Sequence, residues 1–366
     1  MTGWFPFACW SAWFLVAAAA ASVATEWLIG WTSARGVLDL PNDRSSHTRA
    51  TPRGGGIAIV AVTAWAVILA GVLWLEARLP LAGLLVPALA IAAVSWLDDM
   101  KPLRNRVRFG VHLAAAVAAT FLLGPVRAAD FGSLGTFDLG LAAWPLTLLW
   151  IVGMTNAFNF MDGIDGIAGI TAAVAGAAIA AAAACLGVEP LAAAGLAFAG
   201  AAIGFLTCNW PPARIFMGDV GSAFCGFVIA VLPLLGGAPA TTRLAMIAAV
   251  AMWPFIFDTA FTLCRRTAKR ENIFKAHRSH LYQRLVIAGW SHRAVSSLYG
   301  GLSAMAAAVA LAPLHDAGLI RTATTLTAAT IAVGMALLLA LVYVSERAQE
   351  AQPRKRWGQS RRAKHA

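Results

Sequence analysis

The sequence predicts an all-α, polytopic membrane fold with about eleven transmembrane helices, on three observations. Of 366 residues, 60% are hydrophobic and 12% charged, roughly half the charged fraction of a soluble domain, and mean hydropathy is +0.72. Apolar runs of ~20 residues recur along the chain, enough to cross a ~30 Å hydrocarbon core and too continuous for barrel strands. The formal charge of +11 is also unevenly placed. All but Arg78, Arg127, Arg243 and Arg321 of the 28 Lys and Arg fall in alternate connections or the C-terminal tail. Positive charge stays cytoplasmic, so the N-terminus is expected outside, the C-terminus inside, and nucleic acid is not the partner.

Taken in order, the first span is expected near 8–30. Its leading segment, MTGWFPF, has no cation and no evident cleavage site, so it reads as a retained helix. The first connection, LDLPNDRSSHTRATPRGGG, mixes Arg44, His47 and Arg53 with a glycine run. It is a weak phosphate-loop signal, lacking the Gly-Lys-Ser/Thr ending. Spans follow near 56–75 and 80–97. The latter ends in Asp98-Asp99, a pair that opposes the helix dipole. A solvated helix end is the plain alternative. Neighbours on a helix face different ways, so the two acids are expected to do different work.

After spans near 109–125 and 141–157 comes NAFNFMDGIDG, with Asn156, Asn159, Asp162 and Asp165 at every third position. On a helix these would line a wide arc; the competing reading is a pair of Asp-Gly turns. Asn156 caps or packs. Spans near 166–187 and 190–208 are rich in Ala and Gly, which predicts close helix packing. The next connection, NWPPARIFMGDVGS, holds Asn209, Phe216 and Asp219. An N-cap role competes for Asp219.

Spans near 221–236 and 242–263 lead to a strongly basic connection containing KAHRSHLYQRL, with His277 and His280 three apart. Its plain reading is a solvated basic loop; the sharper one is an anion site. Spans near 295–313 and 320–344 complete a transmembrane domain over 1–345. Residues 346–366 form a basic cytoplasmic tail, read as an anchor on anionic lipid. The five cysteines show no metal-type spacing and read as packing residues. Carboxylates, amides and cations gathered at one face of a bilayer point to Mg2+-assisted phosphate chemistry on a lipid.

In order and spacing, DLPNDRSSHTRATPRGGG, Asp98-Asp99, NAFNFMDGIDG, the Asn209…FMGD segment and the histidine loop resemble the polyprenyl-phosphate N-acetylhexosamine-1-phosphate transferases. This family includes the enzymes initiating O-antigen, common antigen and teichoic acid synthesis, and phospho-N-acetylmuramoyl-pentapeptide transferase. The resemblance covers about residues 35–285. It implies transfer of a HexNAc-1-phosphate from a UDP-sugar to undecaprenyl phosphate, releasing UMP, in the bacterial inner membrane. The cofactor it implies is Mg2+, or Mn2+ in its stead. The expected partners are a UDP-N-acetylhexosamine, undecaprenyl phosphate and the bilayer, with a homodimer allowed. Asp98 and Asp99 match the acidic pair beside metal and lipid phosphate, and Asp219 matches the metal-ligating aspartate. Asn159, Asp162, Asp165, Asn209 and Phe216 match positions around the nucleotide diphosphate, with Asp162 counted among the catalytic set and Arg53 among the binding set. His277 and His280 match the outer members of a histidine cluster. Here the cluster reads His-Arg-Ser-His, which departs from the consecutive histidines of the muramoyl-pentapeptide enzymes and looks more like the O-antigen-initiating branch. An intramembrane prenyltransferase lacks its second Asp-rich motif here. A transporter would spread its acids through the bilayer, and no inverted repeat is evident.

Overall fold

The computed structural model describes residues 7–41, 50–272, 277–314 and 317–351. Arg44, His47, Lys275 and the basic tail from 352 onward lie outside the described residues. Among the described residues thirteen α-helices follow in order: α1 (Phe7–Ala34), α2 (Gly56–Leu73), α3 (Arg78–Met100), α4 (Asn105–Leu123), α5 (Ala143–Met161), α6 (Ile167–Cys185), α7 (Glu189–Asn209), α8 (Asp219–Val231), α9 (Ala240–Ala251), α10 (Trp253–Ala268), α11 (Leu281–Ile287), α12 (His292–Leu311) and α13 (Ile320–Ala351). The strands are two short antiparallel pairs. β1 (Leu38–Asp39) pairs with β2 (Thr51–Pro52) in the register Leu38↔Pro52, and β3 (Ala128–Asp130) pairs with β4 (Thr136–Asp138).

Among the described residues ten helices are long and apolar enough to cross a membrane, and eleven spans result if the pair α9–α10, bent by 67°, counts as one. The expected single span 242–263 is therefore corrected to two helices. The break falls at Met252, just before Trp253-Pro254, because proline lacks the amide that would continue the ladder and suits the start of a new helix. The last helix runs to Ala351, past the expected end of the transmembrane domain at 345.

The α6, α7 and α8 helices form the buried centre, and α1 and α13 lie at the periphery. Small residues allow this. A Cβ on Gly176 of α6 would stand 3.1 Å from the Gly195 carbonyl of α7, and one on Gly200 would stand 2.6 Å from the Phe14 carbonyl of α1. The Ala/Gly-rich stretch is thus a packing device, as its composition predicts. Because successive spans reverse direction, the C-terminal ends of α3, α5 and α7 meet the N-terminal ends of α2, α4, α6, α8 and α12 at one end of the bundle. The other end carries contacts such as Trp74 Nε1 to Glu189 (3.4 Å) and Arg243 to Asp130 (3.5 Å).

Candidate active site

The α8 N-terminus is the centre of the polar end. Its first turn presents amides that need acceptors, yet its own cap residue is Gly218, which has no side chain to offer. The acceptor comes from α3. Asp99 receives the Asp219 N–H on Oδ1 and the Val220 N–H on Oδ2, both at 3.0 Å, and its side chain is fully buried. Gly218 is required where it stands: its φ is +76°, and a Cβ there would lie 2.7 Å from Asp99 Oδ2. Asp219 is therefore the first helical residue and not the cap, so its carboxylate faces outward from the helix start. The glycine run before α2 fixes the same segment by backbone pairing. The N–H groups of Gly54 and Gly55 donate to Phe216 O (3.2 and 2.9 Å), and that of Gly56 to Met217 O (2.9 Å). A Cβ on Gly56 would collide with Gly221 of α8. In this arrangement the run is a packing hinge between α2 and α8.

Two arginines bind this end together. Arg53 Nη2 lies 2.9 Å from Asp99 Oδ1 and 3.1 Å from Asp219 Oδ1. Arg108, in the first turn of α4, places Nη1 2.8 Å from Asp98 Oδ2 and Nη2 2.8 Å from Asp219 Oδ2. Burial works against the Arg53 charge, but the carboxylates of Asp99 and Asp219 more than offset it and hold its pKa above the ordinary value. Asn159 accepts from Arg108 at 3.4 Å and donates to Ser222 Oγ at 2.8 Å. Asp98 also accepts the Leu103 N–H at 2.6 Å. The adjacent acids do separate work: Asp99 holds a helix, and Asp98 pairs with Arg108.

Asp162 ends α5 beside this cluster. Burial first, then the Asp219 charge, push its carboxyl up to about 7. Asp165 and Asn209 hold the neighbouring turn. Asp165 accepts the Ala213 N–H at 3.0 Å and lies 3.3 Å from His292 Nδ1 of α12. Asn209 accepts from the Gly166 N–H and donates to Ile215 O, both at 2.9 Å, and is buried. Together they lock the 162–166 turn onto the 210–215 segment. The Asn156 amide donates back to Val152 O within α5 (2.7 Å). The spacing of three is thus split. Asn159 and Asp162 belong to the cluster, and Asp165 belongs to the turn that supports it.

The histidines stand beside this cluster, with no direct bond to its acids among the described contacts. Their rings stack at 5.1 Å. His277 Nδ1 lies 2.9 Å from Ser279 Oγ, and burial, with His280 and Arg266 nearby, lowers its pKa to about 4. It is neutral at neutral pH. His280 is buried at the start of α11, and Tyr282 reaches the end of α5 by donating to Phe160 O at 3.2 Å.

A sequence model of glycosyl transferase family 4 matches residues 81–237. The chain is 35% identical over 263 residues to a probable undecaprenyl-phosphate N-acetylglucosaminyl 1-phosphate transferase of Bacillus subtilis, covering 70% of this chain and 72% of that protein. The chain belongs to glycosyl transferase family 4. It is also similar to a decaprenyl-phosphate N-acetylglucosaminephosphotransferase of Mycolicibacterium smegmatis (29% identical, 81% of this chain and 82% of that one). A phospho-N-acetylmuramoyl-pentapeptide-transferase of Heliobacterium modesticaldum is 31% identical, over 80% of this chain and 94% of that one.

As a glycosyl transferase family 4 member, the protein is a membrane phosphosugar transferase, and its polar end can be tested for a divalent ion. No three His, Cys, Asp or Glu among the described residues form a ready metal cage. Mg2+ takes one or two carboxylates and leaves the rest to substrate and water. Asp219, Asp98 and Asp162 are hard oxygen donors of the right kind. Both Asp219 oxygens accept from guanidinium groups here, so coordination requires the arginines to yield an oxygen. Phosphates are what a guanidinium would take in exchange.

Sequence reasoning missed Arg108, Ser222 and Asp258 as parts of this polar end. Arg108 carried a signal: a cation in the first turn of a helix opposes the dipole. Asp258 carried another, a lone acid inside an apolar run. Ser222 carried none beyond its place after FMGD.

Proposed function

We propose that this protein transfers a HexNAc-1-phosphate from a UDP-sugar to undecaprenyl phosphate, giving undecaprenyl-diphosphate-sugar and UMP, and so initiates an O-antigen-like envelope polysaccharide. The reaction would run at the cytoplasmic face of the bacterial inner membrane with Mg2+. The observation that carries the reading is the meeting of Asp98, Asp162, Asp219, Arg53 and Arg108 at one end of an apolar bundle, in a chain whose relatives are named for this transfer.

One phosphoanhydride is exchanged for another, so the work is to bring anions together and align them. Asp219, set at the α8 start with Asp98 and Asp162 nearby, would hold the ion. When bound, Mg2+ supplies charge neutralisation for the diphosphate and the attacking phosphate. Arg53 and Arg108 would move from carboxylate to phosphate oxygens and stabilise charge on the transferring group. A lipid phosphate has its second pKa near 6, so at cytoplasmic pH much of it attacks without a base. Asp99, spent on two backbone amides and Arg53, is a support for Asp219. His277 would offer a hydrogen bond to a phosphate oxygen.

Relatives named for N-acetylglucosamine make UDP-N-acetylglucosamine the first donor to try, ahead of other UDP-N-acetylhexosamines. The test uses purified protein in lipid nanodiscs with undecaprenyl phosphate and a donor panel. UMP release that requires the lipid phosphate is the expected result. UMP without lipid phosphate, or no UMP with any donor, would refute the proposal. A prenyltransferase or transporter would give no UMP.

A further inference from the structure

Asp258 lies in α10, seven residues beyond the Ala251 end of α9, and its side chain is fully buried. Five groups converge on it. Oδ1 meets the Leu281 N–H (2.8 Å), His280 Nδ1 (3.0 Å) and the Thr262 hydroxyl (3.2 Å). Oδ2 meets the Tyr282 N–H (3.0 Å) and the Tyr299 hydroxyl (2.7 Å). Two of the five are backbone amides, which can only donate. A carboxylate with about four lone-pair sites suits such a set, and neither a neutral amide nor an alcohol matches it.

The consequence for His280 is chemical. A carboxylate only accepts, so the ring nitrogen facing it must carry the proton. The partner of one imidazole nitrogen decides what the other can do. The rest of the segment is fixed with it. The His280 N–H donates to Gln283 Oε1 (3.3 Å), and Arg265 donates to Ser279 O (3.0 Å). Tyr282, the neighbour of the capped Leu281, donates its hydroxyl to Phe160 O, and a Cβ on Gly163 would collide with that hydroxyl. One buried acid therefore sets the tautomer of His280 and, through the start of α11, keys the histidine segment to the turn that carries Asp162.

We propose that Asp258 is the positioning residue of the histidine segment, holding His280 with a proton on Nδ1 so that Nε2 is the nitrogen that takes up a second proton and then, as imidazolium, donates to a substrate phosphate. The link to phosphate rests on the transfer reaction proposed above; the tautomer does not. Two measurements separate them. In wild-type protein labelled with 15N-histidine, the ring signal that vanishes in His280→Gln is expected to be protonated at Nδ1. A signal protonated at Nε2 alone overturns the inference, whether or not the protein turns over UDP-sugar. In the UMP-release assay, Asp258→Asn is expected to lower kcat by roughly 10- to 100-fold. The same change made in a His280→Gln background is expected to alter kcat less than about twofold further. Equal losses in both backgrounds would show that Asp258 acts only on folding and would overturn the positioning role. If wild type releases no UMP while the tautomer is as expected, the transfer reading fails and the Asp258–His280 assignment stands.

Discussion

The α8 and α11 helices begin in the same way. Each has its first two amides capped by a buried aspartate from another helix: Asp99 of α3 for α8, and Asp258 of α10 for α11. They differ in what the cap releases. At α8 the borrowed cap frees the first helical residue, Asp219, to turn its carboxylate toward two arginines. At α11 the cap binds the neighbouring ring, His280, and is closed in by Tyr282 and Tyr299. A capping acid supplied in trans can thus present an anion in one place and orient an imidazole in the other. The helix dipole favours negative charge at both starts.

Breaking the α8 side is expected to have the largest effect. Asp219→Asn should abolish UMP release, by about 10^3-fold or more, and should lower thermal stability in detergent less than loss of the Asp99 cap does, since Arg53 and Arg108 each lose a charged partner but no amide loses its acceptor. Asp99→Ala should lower both activity and stability. It strips a cap and leaves Arg53 with one partner fewer, for about 1–3 kcal/mol of stability, read as a drop in melting temperature. Asp98→Asn sharpens the contrast between neighbours. Turnover should fall about 10- to 100-fold with little change in melting temperature, and the loss should not be recovered at higher pH. Recovery at high pH would mean Asp98 serves as a base.

Much of this was legible in the sequence. The all-α fold and the span count follow from hydropathy, and the acidic motifs stood out because they interrupt apolar runs. What was not legible is the assignment of partners. Asp98 and Asp99 are adjacent letters, yet one faces Arg108 and the other closes α8, a division set by a 100° turn of helix and by where α8 packs. The periodicity of NAFNFMDGIDG gave Asn159 and Asp162 a common site and also drew in Asp165, which tertiary contacts assign to His292 and Ala213. The break in the ninth span followed from Trp253-Pro254 but was hidden by unbroken hydrophobicity on either side.

Smallest is a pH effect on the α11 side. The pKa of His277 falls from the ordinary 6.5 to about 4 on folding, so below pH 6.5 the unfolded chain binds more protons. Stability should therefore be full above about 6.5 and decline as pH falls toward 4. In His277→Gln the melting temperature should fall less steeply over that window; an identical slope would contradict the burial assigned to this ring.

The most direct measurement of the central claim is a Mn2+ titration, followed by electron paramagnetic resonance, on wild type, Asp219→Asn and Asp258→Asn in the presence of UDP-N-acetylglucosamine. The carboxylate freed at the start of α8 is expected to hold the ion, so Mn2+ binding should be lost in Asp219→Asn and kept in Asp258→Asn. Binding in Asp219→Asn equal to that of wild type would contradict the account.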